Sequence, residues 1–96
     1  MNDKVIKKLK DIINLRKRTM PNDSYIAKLF KKGKVKIANK LGEEAVETVS
    51  AFLAEGNKEI LEESADLVFH LMILLEFNDL SIEEVFEILE KRMKND

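Results

Sequence analysis

Two acidic blocks, Glu43-Glu44-x-x-Glu47 and Glu63-x-x-Asp66, stand on either side of Gly56-Asn57. Residues three and four apart share one face of a helix, so Glu44 and Glu47 project together from a first arm and Glu63 and Asp66 from a second. Folded into a helical hairpin at Gly56-Asn57, the two arms set four carboxylates against each other across a narrow gap. Like charges so placed repel and raise one another's pKa unless a cation neutralises them. A hard divalent ion with oxygen ligands is the chemistry that suits such a set. Taken singly, Glu43, Glu44, Glu47, Glu62 and Glu63 read as ordinary solvated helix residues. Asp66 stands apart because it lies one residue inside the apolar run Ala65–Leu75, where an unpaired charge would cost several kcal/mol if buried.

His70 follows Asp66 by one turn on the same face. It reads first as a core histidine with a hydrogen-bonded ring, Asp66 being the nearest partner, and second as a catalytic or substrate-binding group. A carboxylate-bridged di-iron centre would require Glu-x-x-His, and Leu67 holds the position three before His70, which argues against iron. Ahead of the acidic blocks come six lysines, Lys28, Lys31, Lys32, Lys34, Lys36 and Lys40. Such a run is commonly a solvated face. Beside a carboxylate site it suits phosphates whose remaining oxygens are bridged by the metal, which makes Lys28, Lys36 and Lys40 candidate substrate-binding residues.

The elements that must carry these groups are helices. The chain has 96 residues, 45% of them hydrophobic and 36% charged, with three glycines and one proline, which leaves little room for strands and predicts one all-α domain over residues 1–96. Seventeen basic residues nearly cancel eighteen acidic ones, so the overall charge gives no support to nucleic-acid binding. Cysteine is absent, as suits a reducing compartment, and neither a signal-peptide block nor a stretch long enough to span a bilayer is visible. A cytoplasmic protein without a membrane partner is expected.

Val5, Ile6, Leu9, Ile12 and Ile13 recur at helical spacing and predict a first helix ending near Arg18. Thr19 to Asp23 is a loop, and Asp23 or Ser24 can cap a short helix through Lys32 that Gly33 closes. A third helix is predicted from Lys34 to Glu55, with Val35, Ala38, Ala45, Val46, Val49, Phe52 and Leu53 as its buried stripe and Glu43, Glu44 and Glu47 away from the stripe's centre. Gly56 is expected to stop it, and Asn57 to cap a fourth helix running to about Phe77. Leu67 to Leu75 leave that helix almost no polar side, so it is either central or covered by a second subunit, and a homodimer is predicted. Ser81 with Glu84 forms a capping box that opens a last helix to about Met93.

The blocks Ser24-Tyr25-Ile26-Ala27-Lys28-Leu29, Lys40-Leu41-Gly42-Glu43-Glu44-Ala45-Val46-Glu47 and Glu63-Ser64-Ala65-Asp66-Leu67-Val68-Phe69-His70 resemble the phosphoribosyl-ATP pyrophosphohydrolases of histidine biosynthesis. The two acidic motifs are shared with the wider MazG-like all-α nucleotide pyrophosphohydrolases, while the Ser24–Leu29 block and the Asp66-Leu67-x-x-His70 ending narrow the likeness. The resemblance covers nearly the whole chain. It implies a MazG-like bundle of four to five helices completed by dimerisation, Glu44, Glu47, Glu63 and Asp66 as Mg²⁺ ligands, and Glu43 or Glu47 as the group that orients or deprotonates water. It also brings Ser24, Tyr25 and His70 toward the substrate. The implied reaction is Mg²⁺-dependent hydrolysis of phosphoribosyl-ATP to phosphoribosyl-AMP and pyrophosphate. Phe69 stands where the family often has Tyr, and Ile26 where it often has Thr, changes that bear on substrate contact and leave the acidic motif intact. Two other readings are a housekeeping pyrophosphohydrolase acting on deoxynucleoside triphosphates, against which the Ser24–Leu29 block argues, and a non-catalytic helical module built on the apolar fourth helix.

Overall fold

A computed structural model describes residues 2–95, and side chains from residue 4 onward. The chain runs through five helices: α1 (Asn2–Thr19), α2 (Tyr25–Lys32), α3 (Lys34–Ala54), α4 (Asn57–Phe77) and α5 (Ile82–Met93). No strand occurs among the described residues, which agrees with the all-α expectation. Among them, too, no helix is long and apolar enough to cross a membrane.

Local chemistry sets the helix ends. Ser24 caps α2 by accepting the Ala27 N–H at 3.1 Å. Gly33 joins α2 to α3 at φ 95°, ψ −171°, a conformation that in practice only glycine adopts. At the end of α4 the Leu80 N–H bonds back to the Leu75 carbonyl and the Asp79 N–H to that of Glu76, with Asp79 at φ 57°. This is a Schellman stop in which an aspartate fills the left-handed place usually given to glycine. The expected box at α5 is present, the Glu84 carboxylate accepting the Ser81 N–H at 2.7 Å.

The turn between α3 and α4 differs from its expectation. Glu55 and Gly56 are both extended, at φ −123° and −111°, so Gly56 does not stop α3 in a left-handed turn. Gly56 is itself the residue before α4, its N–H taken by Glu59 at 3.1 Å, and Asn57 is already helical.

Helices α3 and α4 form an antiparallel hairpin, with α1 and α2 packed against it. The core is Ile13, Ile26, Leu29, Phe30, Ile37, Met72, Ile73 and Ile82. α1 follows its predicted stripe in part: Ile13 is fully buried and Ile6 and Leu9 half-buried, while Val5 and Ile12 face outward. The predicted stripe of α3 is overturned. Val35, Ala38, Val46, Val49, Phe52 and Leu53 are exposed, Phe52 to 70% and Leu53 to 74%, and the residues α3 buries are Ile37, Glu44 and Ala51. α3 has two stripes, and within one chain only the one that meets α4 is covered.

α1 is fastened to the end of α4 by polar contacts. Lys17 donates to the backbone carbonyl of Glu76 and to the Asp79 carboxylate, the latter at 2.8 Å, supplying positive charge where α4 leaves carbonyls without helical partners. Lys10 pairs with Glu83 at 3.1 Å. Glu76 itself is buried among these groups, and burial raises its carboxyl above the ordinary 4.5, opposed by Asn14, Lys10 and Lys17. A carboxyl whose folded pKa lies above its unfolded value keeps its proton where the unfolded chain has lost it. Its contribution to stability therefore falls as pH rises from about 4.5 through the raised value. Relative to Glu76→Gln, the unaltered chain is expected to lose stability over that window, measured by urea midpoints at a series of pH values. A difference between the two proteins that does not change with pH would contradict this.

Candidate active site

The hairpin delivers what the acidic spacing required. One carboxylate oxygen from each of Glu44, Glu63 and Asp66 lies within 4.8 Å of the other two. Glu44 is 6% exposed, Glu63 half-buried and Asp66 exposed at the mouth, so Asp66 avoids the burial cost that its place in an apolar run suggested. The Oε2 atoms of Glu44 and Glu63 are each buried without a hydrogen-bond partner. Unpartnered anionic oxygens converging on one point cost free energy in the protein alone, and they are the donor set that a hard cation takes.

Glu47 is exposed and stands beside Glu63 without joining the group of three. The Glu63 carboxyl is pushed up to about 7, first by a hydrogen bond shared with Glu47 and then by desolvation and the nearby charges of Glu47, Asp66 and Glu44. Glu44 is raised by burial first and then by Glu47 and Asp66, with Lys40 opposing. Glu43 is exposed on the outer side of α3 and holds the Lys40 ammonium at 3.2 Å, while Glu44 lies 3.7 Å from the same nitrogen. That hydrogen bond to Glu43 is the main reason the Lys40 ammonium is raised above its usual pKa.

Lys28, Lys32, Lys36 and Lys40 line an open pocket of about 220 Å³ with Tyr25 and Leu29. The basic run is thus split by the α2–α3 turn: four of its lysines converge, and Lys31 and Lys34 point elsewhere, lining other hollows. Lys32 joins the candidates that the sequence had offered. Tyr25, on the wall of this pocket, is tied to the helix that carries Asp66. Its hydroxyl lies 2.8 Å from His70 Nε2, and His70 Nδ1 lies 2.7 Å from the Asp66 backbone carbonyl. A carbonyl only accepts, so in the neutral ring the proton is on Nδ1 and the phenol donates to Nε2. His70 is buried as expected, but its Asp66 partner is the carbonyl and not the carboxylate. Phe69 stacks on Tyr25 with ring centres 6.3 Å apart. Burial raises the Tyr25 phenol. Ser24 is engaged as the cap of α2 and reaches the pocket only by holding Tyr25 at the helix start.

One polar residue was not anticipated. The Thr48 hydroxyl lies 2.7 Å from the Glu44 carbonyl and 3.1 Å from the Glu63 carbonyl, bridging the two arms immediately behind the carboxylates. Its place one turn after Glu44 was visible in the sequence, but its partner across the hairpin was not.

An acidic group and a basic pocket sharing Lys40 can hold a cation and a polyphosphate side by side. The known proteins to which this chain is similar agree with one another. Residues 6–93 match the phosphoribosyl-ATP pyrophosphohydrolase family. A phosphoribosyl-ATP pyrophosphatase of Metallosphaera sedula is 49% identical over 90 residues, covering 94% of this chain and 97% of the relative. Its counterpart in Sulfolobus acidocaldarius is 42% identical over 94 residues, covering 98% and 99%, and that of Zymomonas mobilis 44% identical over 92 residues, covering 96% and 86%. With the family matched over nearly its whole length, on a helical hairpin that carries both acidic motifs, this chain belongs to the phosphoribosyl-ATP pyrophosphohydrolase family.

Proposed function

We propose that this chain hydrolyses phosphoribosyl-ATP to phosphoribosyl-AMP and pyrophosphate in histidine biosynthesis, with Mg²⁺ as cofactor. The observation that carries the reading to a mechanism is the contact between the two halves of the site: three converging carboxylates, two of them with unpartnered buried oxygens, and four lysines around the adjoining pocket. The donor set suits Mg²⁺, being all oxygen and anionic. Glu44, Glu63 and Asp66 would hold the ion, with Glu47 within reach beside Glu63. Bound there, Mg²⁺ supplies a Lewis acid that polarises phosphate oxygens and lowers the pKa of water.

The chain's own groups account for the remainder. Lys28, Lys32 and Lys36 bind the phosphate chain and take up the charge that grows on the departing pyrophosphate. Glu47 and Glu43 are the candidates for orienting water toward the α phosphorus and accepting its proton. As the water oxygen bonds to that phosphorus, the bond from the α phosphorus to the bridging oxygen breaks and pyrophosphate leaves with the electron pair. Glu47 is favoured, because it stands beside Glu63 at the carboxylate group, whereas Glu43 is occupied by Lys40. Tyr25, held by His70 on the wall of the lysine pocket, is placed to contact the ribose or base side of the nucleotide. A cytoplasmic location and a single domain over residues 1–96 accord with this reading.

Pyrophosphate release from phosphoribosyl-ATP, compared with a panel of deoxynucleoside triphosphates, tests the substrate. Phosphoribosyl-ATP is expected to be the preferred substrate by kcat/KM, and equal rates across the panel would defeat the assignment. In the same assay Glu44→Gln, Glu47→Gln, Glu63→Gln and Asp66→Asn should each remove most of the activity. Without Mg²⁺ the Glu63→Gln chain should melt above the unaltered one, because a repelling charge is gone. Near-normal turnover in any two of these variants at saturating Mg²⁺ would show that the ligand set is wrong.

The lysine pocket makes its own demand. Lys28→Ala and Lys36→Ala are expected to raise KM several-fold, whereas Lys7→Ala, whose ammonium pairs with Asp11 on exposed α1, should leave it within about twofold. Equal, small changes at all three positions would make the run a solvated face after all.

The apolar surface left by α3 supports a homodimer. Val46, Val49, Phe52, Leu53 and Leu61 are large apolar residues exposed on the same hairpin, the kind of surface that marks an interaction site. A two-fold pairing would cover it and restore a buried role to the stripe that the sequence had predicted. Sedimentation at low micromolar concentration should give twice the 11.1 kDa chain mass, and a fully active monomer would rule the pairing out.

A further inference from the structure

The carboxylates of Glu44 and Glu63 come from different helices, so the gap between α3 and α4 sets the width of the space they enclose. Among the described residues, the Thr48 hydroxyl makes the only hydrogen bond from a side chain of α3 to the backbone of α4. It does so at the two ligand positions themselves, lying between the carbonyls of Glu44 and Glu63 at 2.7 and 3.1 Å. From this geometry we infer that Thr48 is a positioning residue that fixes the spacing of the α3 and α4 ligands to the requirements of a small cation. The inference rests on the reading of Glu44, Glu63 and Asp66 as cation ligands.

A hydroxyl proton shared between two carbonyl oxygens lets the oxygens approach as hydrogen-bond partners do. A methyl group in the same place prefers about 3.3–3.6 Å from a carbonyl oxygen and an alanine leaves the two helices untied there, so losing the hydroxyl lets the Glu63 backbone move outward by a few tenths of an ångström. Both carbonyls remain helical acceptors, so the change strands no backbone group and the cost to the fold is small. A few tenths matter to Mg²⁺, which demands near-ideal octahedral geometry at about 2.0–2.1 Å. They matter little to Ca²⁺, which accepts about 2.3–2.6 Å in flexible arrangements. Thr48 therefore acts on which cation fits more than on whether a cation binds.

Calorimetric titration of the full chain with Mg²⁺, and separately with Ca²⁺, reads this without turnover. The unaltered protein should bind both ions and Glu63→Gln neither. Thr48→Val should lose about tenfold in Mg²⁺ affinity, in the range for residues that orient metal ligands, with Ca²⁺ affinity changed less than about threefold. Thr48→Ser, which keeps the hydroxyl, should stay within about twofold of the unaltered chain for both. Unchanged Mg²⁺ affinity in Thr48→Val, or an equal loss for both ions, overturns the role of Thr48 while leaving the carboxylate site standing. Absence of any binding to the unaltered protein overturns the site and this role with it. Should Thr48→Val lose its helical circular dichroism, Thr48→Ala against Thr48→Ser decides: selective Mg²⁺ loss in Ala alone supports the assignment, and equal affinities in the two refute it.

Discussion

Repulsion among the carboxylates that α3 and α4 turn toward each other is the constraint to which the neighbouring structure answers. Helical spacing places the acidic side chains on facing surfaces, and burial of Glu44 prevents water from fully screening them. The protein offsets the resulting cost in two visible ways. Glu63 is pushed to about 7, so it holds its proton to higher pH than an ordinary carboxyl does. Lys40, one turn before Glu44, leans over the group with its ammonium held by Glu43. Neither measure satisfies the buried Oε2 atoms of Glu44 and Glu63, which are what make the cluster receptive to a divalent ion.

Charge of the two signs is kept apart and then joined at one edge. The lysines of α2 and the start of α3 surround one pocket with Tyr25, whose hydroxyl lies on His70, and the carboxylates lie further along the hairpin. Lys40 belongs to both sides. A polyphosphate lying along this edge meets ammonium groups at one end and the carboxylate-held ion at the other, the complementarity needed to neutralise a highly charged leaving group.

How much of this was legible in the sequence depended on whether the signal was local. The caps at Ser24 and Ser81 follow from residues within one turn of each other and appear as read, while of the facing acidic pairs Glu44, Glu63 and Asp66 converge and Glu47 stands beside them. The stripe of α3 failed because periodicity identifies an apolar face without identifying what covers it. Phe52 and Leu53 have the right spacing, but within one chain α4 packs against the face carrying Glu44 and Ala51. Gly56 was misread because a glycine beside Asn suggests a left-handed stop, whereas the Glu59 carboxylate draws the turn into an extended entry to α4. Thr48 and Glu76 gave no signal of the partners they find. Each depends on a partner in another helix, and an isolated threonine or glutamate in a helical run looks the same whether or not that partner exists.

The turn between α3 and α4 occupies only Glu55 and Gly56, and it has a consequence for how the molecule is assembled. All the groups that repel one another come from two consecutive helices joined by that connection. The chain entropy lost in bringing them together is near the minimum any interhelical site can have, because closure entropy grows with the length of the loop closed. The contacts that fasten α1 are the opposite case: Lys17 and Asp79 are separated by 62 positions. The hairpin is therefore the unit most able to form early and alone, with the long-range helices docking afterwards onto a scaffold in which the acidic residues are already opposed.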